Sequence, residues 1–246
     1  MPSGALLLVA RSPEEMAART ARFLAAVLRS ALAHRPEAAA ALAGGRTPAP
    51  IYRSLAAEPL PWQRMLLFLG DERRVAPDDP RSNYRMIRSA LGPTARVMPV
   101  IPPEAAGLPA ADALCRRYAG QLGRAARTVR NGVPVLDLIL LGLGEDGHTA
   151  SLFPGSSALA ERTAWMVPAP GPQAGSGASP GVDRLTLTLP VLVAADELVF
   201  IVRGAKKADA LSRALEGDPS IPAGLLSRRR PRATWFVDPE SAASLA

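Results

Sequence analysis

"LDLILLGLGEDGHTASLFPG", residues 136–155, passes from an apolar run through glycines and two acids to a histidine. A short apolar run ending in glycine is the pattern of a strand buried within a parallel sheet. The GLGEDG portion also satisfies G-x-G-x-x-G after a strand, the spacing of a dinucleotide-binding turn. Such a turn should lead directly into a long helix, with an acid about 20 residues on at the next strand's end. Here His148 follows Gly147 at once, and Pro154-Gly155 interrupt before a helix can settle. The next strand candidate, "AWMVP", ends in Pro168-Ala169 and supplies no acid. The fingerprint is incomplete, and no nicotinamide cofactor is expected. The glycines are read instead as shaping a bend that delivers His148, with Asp146 beside it to hold the loop or the ring. Histidine is the side chain best suited to proton transfer near neutral pH.

Working outward, apolar runs at 5–10, 38–43, 65–69, 135–141, 164–168, 184–189, 197–202 and 233–237 alternate with longer helical patterns. That alternation predicts an α/β fold, a Rossmann-like doubly wound, mostly parallel sheet with helices on both faces. "SPEEMAARTARFLAAVLRSALAHR" opens with a serine cap, a proline at the first helical position and acids in the first turn. A second long helix is expected within 103–130. The stretch 169–181 is too rich in Gly, Pro and Ser to pack and is expected to be a mobile loop. Strand signals resume directly beyond it, so one domain over residues 1–246 is expected.

A chain of 246 residues can bury roughly 70–75% of its unfolded surface and needs no disulfide or metal staple. Cys115 is the only cysteine, which excludes an internal disulfide framework and fits a reducing cytoplasm. "ALLLVA" near the start is too short to span a membrane and is read as the first buried strand. The formal charge of +7 is read as attraction for a small anion and a solvated arginine face. The densest basic cluster, "SRRRPR" at 227–232, lacks interleaved aromatics, so no nucleic acid partner is expected. Only two of the 29 basic residues are lysines, Lys206 and Lys207. A compact ammonium is not interchangeable with arginine around a ligand.

Four strand ends collect candidate chemistry. In "LAGGRTPAPIYRSLA", a strand enters Gly44 and Gly45, and Arg46-Thr47-Pro48 open a helix. Free N–H groups and the helix dipole make such a start an anion site. In "LFLGDERRVAPDDPRSNYRMI", Gly70 precedes Asp71, Glu72 and Arg73. In the third, His148 follows its glycines, whereas His34 ends a helix before a proline, where a cationic residue is unremarkable. In the fourth, Arg184 opens "RLTLTL", and Lys206-Lys207 follow "ELVFIVRGA". Two distant histidines and one cysteine give no zinc pattern.

"GDERRVAPDDPRSNYRM", "DLILLGLGEDGHTASLFPG" and "RLTLTLPVLVAADELVFIVRGAKKADAL" resemble the 6-phosphogluconolactonase family, in the wider group that includes glucosamine-6-phosphate deaminase and ribose-5-phosphate isomerase A. The likeness runs from the first strand to the last. It implies a doubly wound sheet without a nucleotide and hydrolysis of a small-molecule sugar phosphate lactone, 6-phospho-D-glucono-1,5-lactone, with no metal or cofactor. His148 matches the catalytic histidine of DGHTAS. Gly44, Gly45 and Thr47 match the phosphate loop, with Arg46 where the family usually has a small hydroxyl residue. Asp71, Glu72, Arg73 and Asn83 match DER and SNY, Arg184 the arginine of RITLTLP, and Lys207 the lysine of its GAEKA-like segment. Deaminases resemble DGHIAFNEPG, with a glutamate before the proline; aligned on Asp146-Gly147-His148, that position is Phe153. A sugar-phosphate-binding regulator is the remaining class for the same residues, and it would be expected to add a DNA-binding segment.

Overall fold

The computed structural model describes residues 4–105, 107–126, 128–171 and 181–245, so most of the stretch 169–181 lies outside the described residues. The strands are β1 (Leu6–Val9), β2 (Ala38–Leu42), β3 (Met65–Leu69), β4 (Asp71–Arg73), β5 (Thr128–Arg130), β6 (Val133–Val135), β7 (Leu138–Gly142), β8 (Met166–Ala169), β9 (Arg184–Leu187), β10 (Glu197–Val202) and β11 (Thr234–Val237). The helices are α1 (Pro13–His34), α2 (Pro48–Ala56), α3 (Asn83–Leu91), α4 (Ala111–Ala125), α5 (Ser157–Ala160), α6 (Leu189–Ala194), α7 (Ala208–Glu216) and α8 (Pro222–Arg229).

Six strands form one parallel sheet in the order β1-β11-β10-β7-β2-β3, flanked by helices. The central strands are buried along nearly their whole length, as their unbroken apolar sequences require. Phe200 and Trp235 lie opposite each other on β10 and β11 and stack with ring centroids 3.9 Å apart. Helix α1 begins as its sequence dictates: the Ser12 side chain accepts the Glu15 N–H at 3.1 Å, and Pro13 stands in the first turn. Its buried residues Met16, Thr20, Leu24, Leu28 and Leu32 recur every four positions, giving one apolar face to the core.

The order of strands reverses between β2 and β7. From β2 the chain moves outward to β3, and from β7 it moves the other way through β10 to β11. The carboxyl ends of β2 and β7 are therefore neighbours at the topological switch point, where open α/β sheets hold their ligands.

Two expected strands do not join the parallel sheet. The runs 164–168 and 184–189 become β8 and β9, which pair antiparallel in a small separate sheet with β4. The second run ends early because Thr188 precedes α6, whose first turn contains Pro190, a residue without an N–H for a ladder. The run 135–141 is also divided. Asp137 interrupts it, accepting the Ala39 N–H at 2.8 Å and pairing with Arg35, while Val133–Val135 form a hairpin with β5. Among the described residues no helix is long and apolar enough to cross a membrane.

Candidate active site

The turn leaving β7 is built around His148. The imidazole Nδ1 lies 2.5 Å from Asp146 Oδ1, and the same oxygen accepts the His148 backbone N–H at 3.0 Å. One carboxylate thus fixes both the ring and its own main chain. The His148 carbonyl accepts the Gly144 N–H at 2.8 Å, the Gly144 carbonyl accepts the Gly147 N–H at 3.1 Å, and Thr149 Oγ1 donates to the Gly142 carbonyl at 2.9 Å. Gly144 shows what the glycines are for. A Cβ there would stand 2.0 Å from His148 Nδ1 and 2.6 Å from Asp146 Oδ1, so any other residue would expel the histidine–carboxylate pair. Burial pushes the Asp146 carboxyl upward, but the hydrogen bond and charge of His148 outweigh it and hold the group below the usual carboxylate range. Phe153 packs on the imidazole, with ring centroids 4.6 Å apart and planes at 43°.

At the neighbouring carboxyl end of β2, Gly44 and Gly45 lead into α2. Among the described residues, none of the N–H groups of Gly44, Gly45, Arg46 and Thr47 donates to a protein acceptor. Thr47 makes no side-chain cap, so its hydroxyl is not spent on the helix. The Tyr52 hydroxyl braces the approach by donating to the Ala43 carbonyl at 2.6 Å. Gly44 admits a close neighbour, since a Cβ there would collide with the Asn83 amide.

Asn83 is held from the other side. Its amide donates to the Asp71 carbonyl at 2.9 Å and to Asp71 Oδ1 at 3.3 Å. Glu72, buried, accepts the N–H groups of Arg73, Asn83 and Tyr84 and the Ser82 hydroxyl, so this acid anchors the start of α3. Burial raises the Glu72 carboxyl against the pull of those donors. Arg73 and Arg184 sit directly opposite each other in the β4–β9 pairing, an arrangement of like charges that costs stability unless something negative lies close. Asp71 supplies part of that: its Oδ2 is 3.8 Å from Arg184 Nη1. Burial pulls the Arg184 guanidinium below its usual value, and Asp71 opposes the shift.

The third contributor follows β10. Gly204 donates to the buried Asp238 carboxylate at 3.0 Å, fixing the turn that carries Ala205–Lys207. Lys207 is half-buried, and desolvation lowers its ammonium below the ordinary value although Glu145 and Asp146 oppose this.

These strand ends surround one cavity of about 960 Å³. Gly44, Gly45, Arg46, Thr47, Asp71, Arg73, Asn83, His148, Arg184 and Lys207 all line it; Asp146 stands behind His148 rather than in the wall. The candidate residues are therefore brought together. Arg203, Lys206 and Glu240 line the cavity as well. The first two follow β10 and were legible as charges at a strand's carboxyl end. Glu240 lies just past β11, where only its place at the same sheet edge could have signalled it.

Residues 11–235 match the family of glucosamine-6-phosphate isomerases/6-phosphogluconolactonase. The chain belongs to that family. Within it, the chain is 38% identical to 6-phosphogluconolactonase of Synechocystis sp. over 222 residues, covering 87% of this chain and 88% of the relative. It is 37% identical to the Rattus norvegicus 6-phosphogluconolactonase, covering 99% and 95%. The solved structure of 6-phosphogluconolactonase from Trypanosoma brucei superimposes with a TM-score of 0.85 at 30% identity, covering 98% of this chain and 99% of that one. A monomeric glucosamine-6-phosphate deaminase shares the fold, with a TM-score of 0.73 at 23% identity. A lactonase and a deaminase thus share this fold.

Proposed function

We propose that this protein hydrolyses 6-phospho-D-glucono-1,5-lactone to 6-phosphogluconate, the lactonase step of the oxidative pentose phosphate pathway, with His148 as general base. The observation that carries the reading is the cavity itself. An imidazole whose Nδ1 is committed to Asp146 shares it with an unspent set of N–H groups and with Lys207.

The roles follow from the chemistry of each part. The phosphate dianion docks on the Gly44–Thr47 loop, with Lys207 and Arg46 supplying charge, as phosphate does at a helix start. Arg73, Asn83 and Arg184 line the wall along which the sugar lies. That remote binding positions the lactone carbonyl, and positioning of this kind can remove up to about 7–11 kcal/mol from a barrier. The bond to Asp146 keeps the proton on Nδ1 and leaves the Nε2 lone pair for water. As water attacks C1, Nε2 takes its proton. The tetrahedral intermediate then collapses, the bond from C1 to the ring oxygen breaks, and the imidazolium returns the proton to that oxygen. The N–H groups of Gly144, Gly147 and His148 are consumed within the turn; the developing oxyanion is assigned to Arg73 and Arg184, whose guanidinium groups belong to the cavity wall that His148 shares. Asp71 supports that wall.

Phe153 favours hydrolysis over deamination. An aromatic ring packed on His148 cannot exchange a proton, and a second acid at that place is what ring-opening amine chemistry would use. The test is acid release from freshly prepared lactone, after subtraction of spontaneous opening, alongside ammonia release from glucosamine 6-phosphate. Enzyme-dependent acid release without ammonia is expected. Absence of any enzyme-dependent acid release would leave a sugar-phosphate binder and end the hydrolase reading.

A further inference from the structure

Ser151 lies three residues beyond His148 in the same turn and is fully buried. Its hydroxyl donates to Asp71 Oδ2 at 2.5 Å, and its backbone N–H donates to Thr186 Oγ1 at 3.1 Å. Asp71 and Thr186 are themselves opposite each other in the β4–β9 pairing. Ser151 therefore plugs the turn from the parallel sheet into a single rung of the antiparallel one. The chain bends to reach that rung: Ala150 carries φ +50°, a left-handed conformation that a residue with a Cβ seldom adopts. Such backbone strain persists only where surrounding bonds over-determine it. The hydroxyl proton is committed to a buried carboxylate, and Ser151 is not among the cavity-lining residues, so it is not placed as a nucleophile.

We propose that Ser151 is a positioning residue for the reaction, setting the imidazole of His148 against the wall of Arg73 and Arg184 by tying the histidine turn to Asp71. The geometry leaves it well suited to this. The two halves of the cavity belong to different sheets, and Ser151 joins the turn of one to the strands of the other by two hydrogen bonds. It rests on the reading of His148 as the base and names what holds that base in register.

The test is a set of double-mutant comparisons with the intact chain. Ser151→Ala removes the hydroxyl, and Thr186→Val removes the acceptor of the Ser151 N–H with little change of shape; the second variant carries the test if the first does not fold. Each is expected to lower kcat about tenfold, as a small misplacement of reacting groups does, while affinity for 6-phosphogluconate stays within about twofold. In a His148→Ala background, adding Ser151→Ala is expected to cost nothing further, because the residue acts through the ring that is gone. A merely structural tie would reduce the residual rate and the product affinity in both backgrounds alike, and that result would overturn the proposal. So would unchanged kcat in both Ser151→Ala and Thr186→Val. Full activity in His148→Ala alone would instead remove the base reading on which the proposal stands.

Discussion

Two loops leave adjacent parallel strands at the switch point, and they are built in opposite ways. After β7, the turn through His148 is bonded to itself: donors of Gly144, Gly147, His148 and Thr149 all find acceptors within 142–149. After β2, the loop 44–47 uses none of its N–H groups on the protein among the described residues. The side chains of Arg46 and Lys207 likewise make no hydrogen bond or salt bridge there. The difference fits the roles proposed for the two loops. The proposed proton transfer requires heavy atoms within hydrogen-bond reach and correct direction, which an over-determined turn supplies. The proposed phosphate capture requires unspent donors and charge, which loop 44–47 offers.

Substitutions that strike one loop should separate from those that strike the other. The largest effect is expected from His148→Ala, which should lower kcat by about 10²–10⁴ with product affinity retained in a calorimetric titration. A parallel loss of affinity would show that the two loops are not functionally distinct. Next comes Gly144→Ala. Its Cβ would occupy the place of His148 Nδ1, and a displaced ring should cost about 10²-fold in kcat, again with phosphate binding intact. An unchanged rate would mean that the glycine is not what seats the imidazole. Lys207→Ala should do the reverse, weakening 6-phosphogluconate binding by about 10–100-fold, as loss of a charged hydrogen bond does, with kcat at saturation little changed.

The lysine also gives the smallest and most specific expectation. Its ammonium must be protonated to hold phosphate, so binding is fully present below its pKa and declines as pH rises through it. Burial has lowered that pKa, so the decline should begin below the range of an ordinary lysine. The phosphate of the ligand remains dianionic there, since its second proton leaves at about pH 6. Lys207→Arg keeps its charge throughout and should flatten the alkaline limb of affinity against pH. An unaltered limb would assign that titration elsewhere.

Much of the fold is legible in the sequence itself. The β2, β3, β7, β10 and β11 runs read as buried strands because their faces are both covered, and the Ser12-Pro13 start of α1 announced itself by its cap. The small sheet was not legible. β8 and β9 carry strand patterns, but a two-residue period does not say which sheet a strand joins, and β4 consists of three charged residues that read as a loop. Glu72 illustrates the limit at the site: as sequence it is one of four charges after Gly70, and only the fold shows its carboxylate binding the start of a helix eleven residues on.

By itself the sequence determined the strand ends at which the site is assembled, the histidine, and the glycines that precede it, because these depend on local pattern and on the steric needs of a tight turn. Tertiary structure alone decided that Arg73 faces Arg184 and that Ser151 meets Asp71 across 80 residues of chain. Hydrogen bonds between distant residues leave no periodicity in a sequence. They exist only once buried strands have brought their ends to the same edge and left their polar groups no water to turn to.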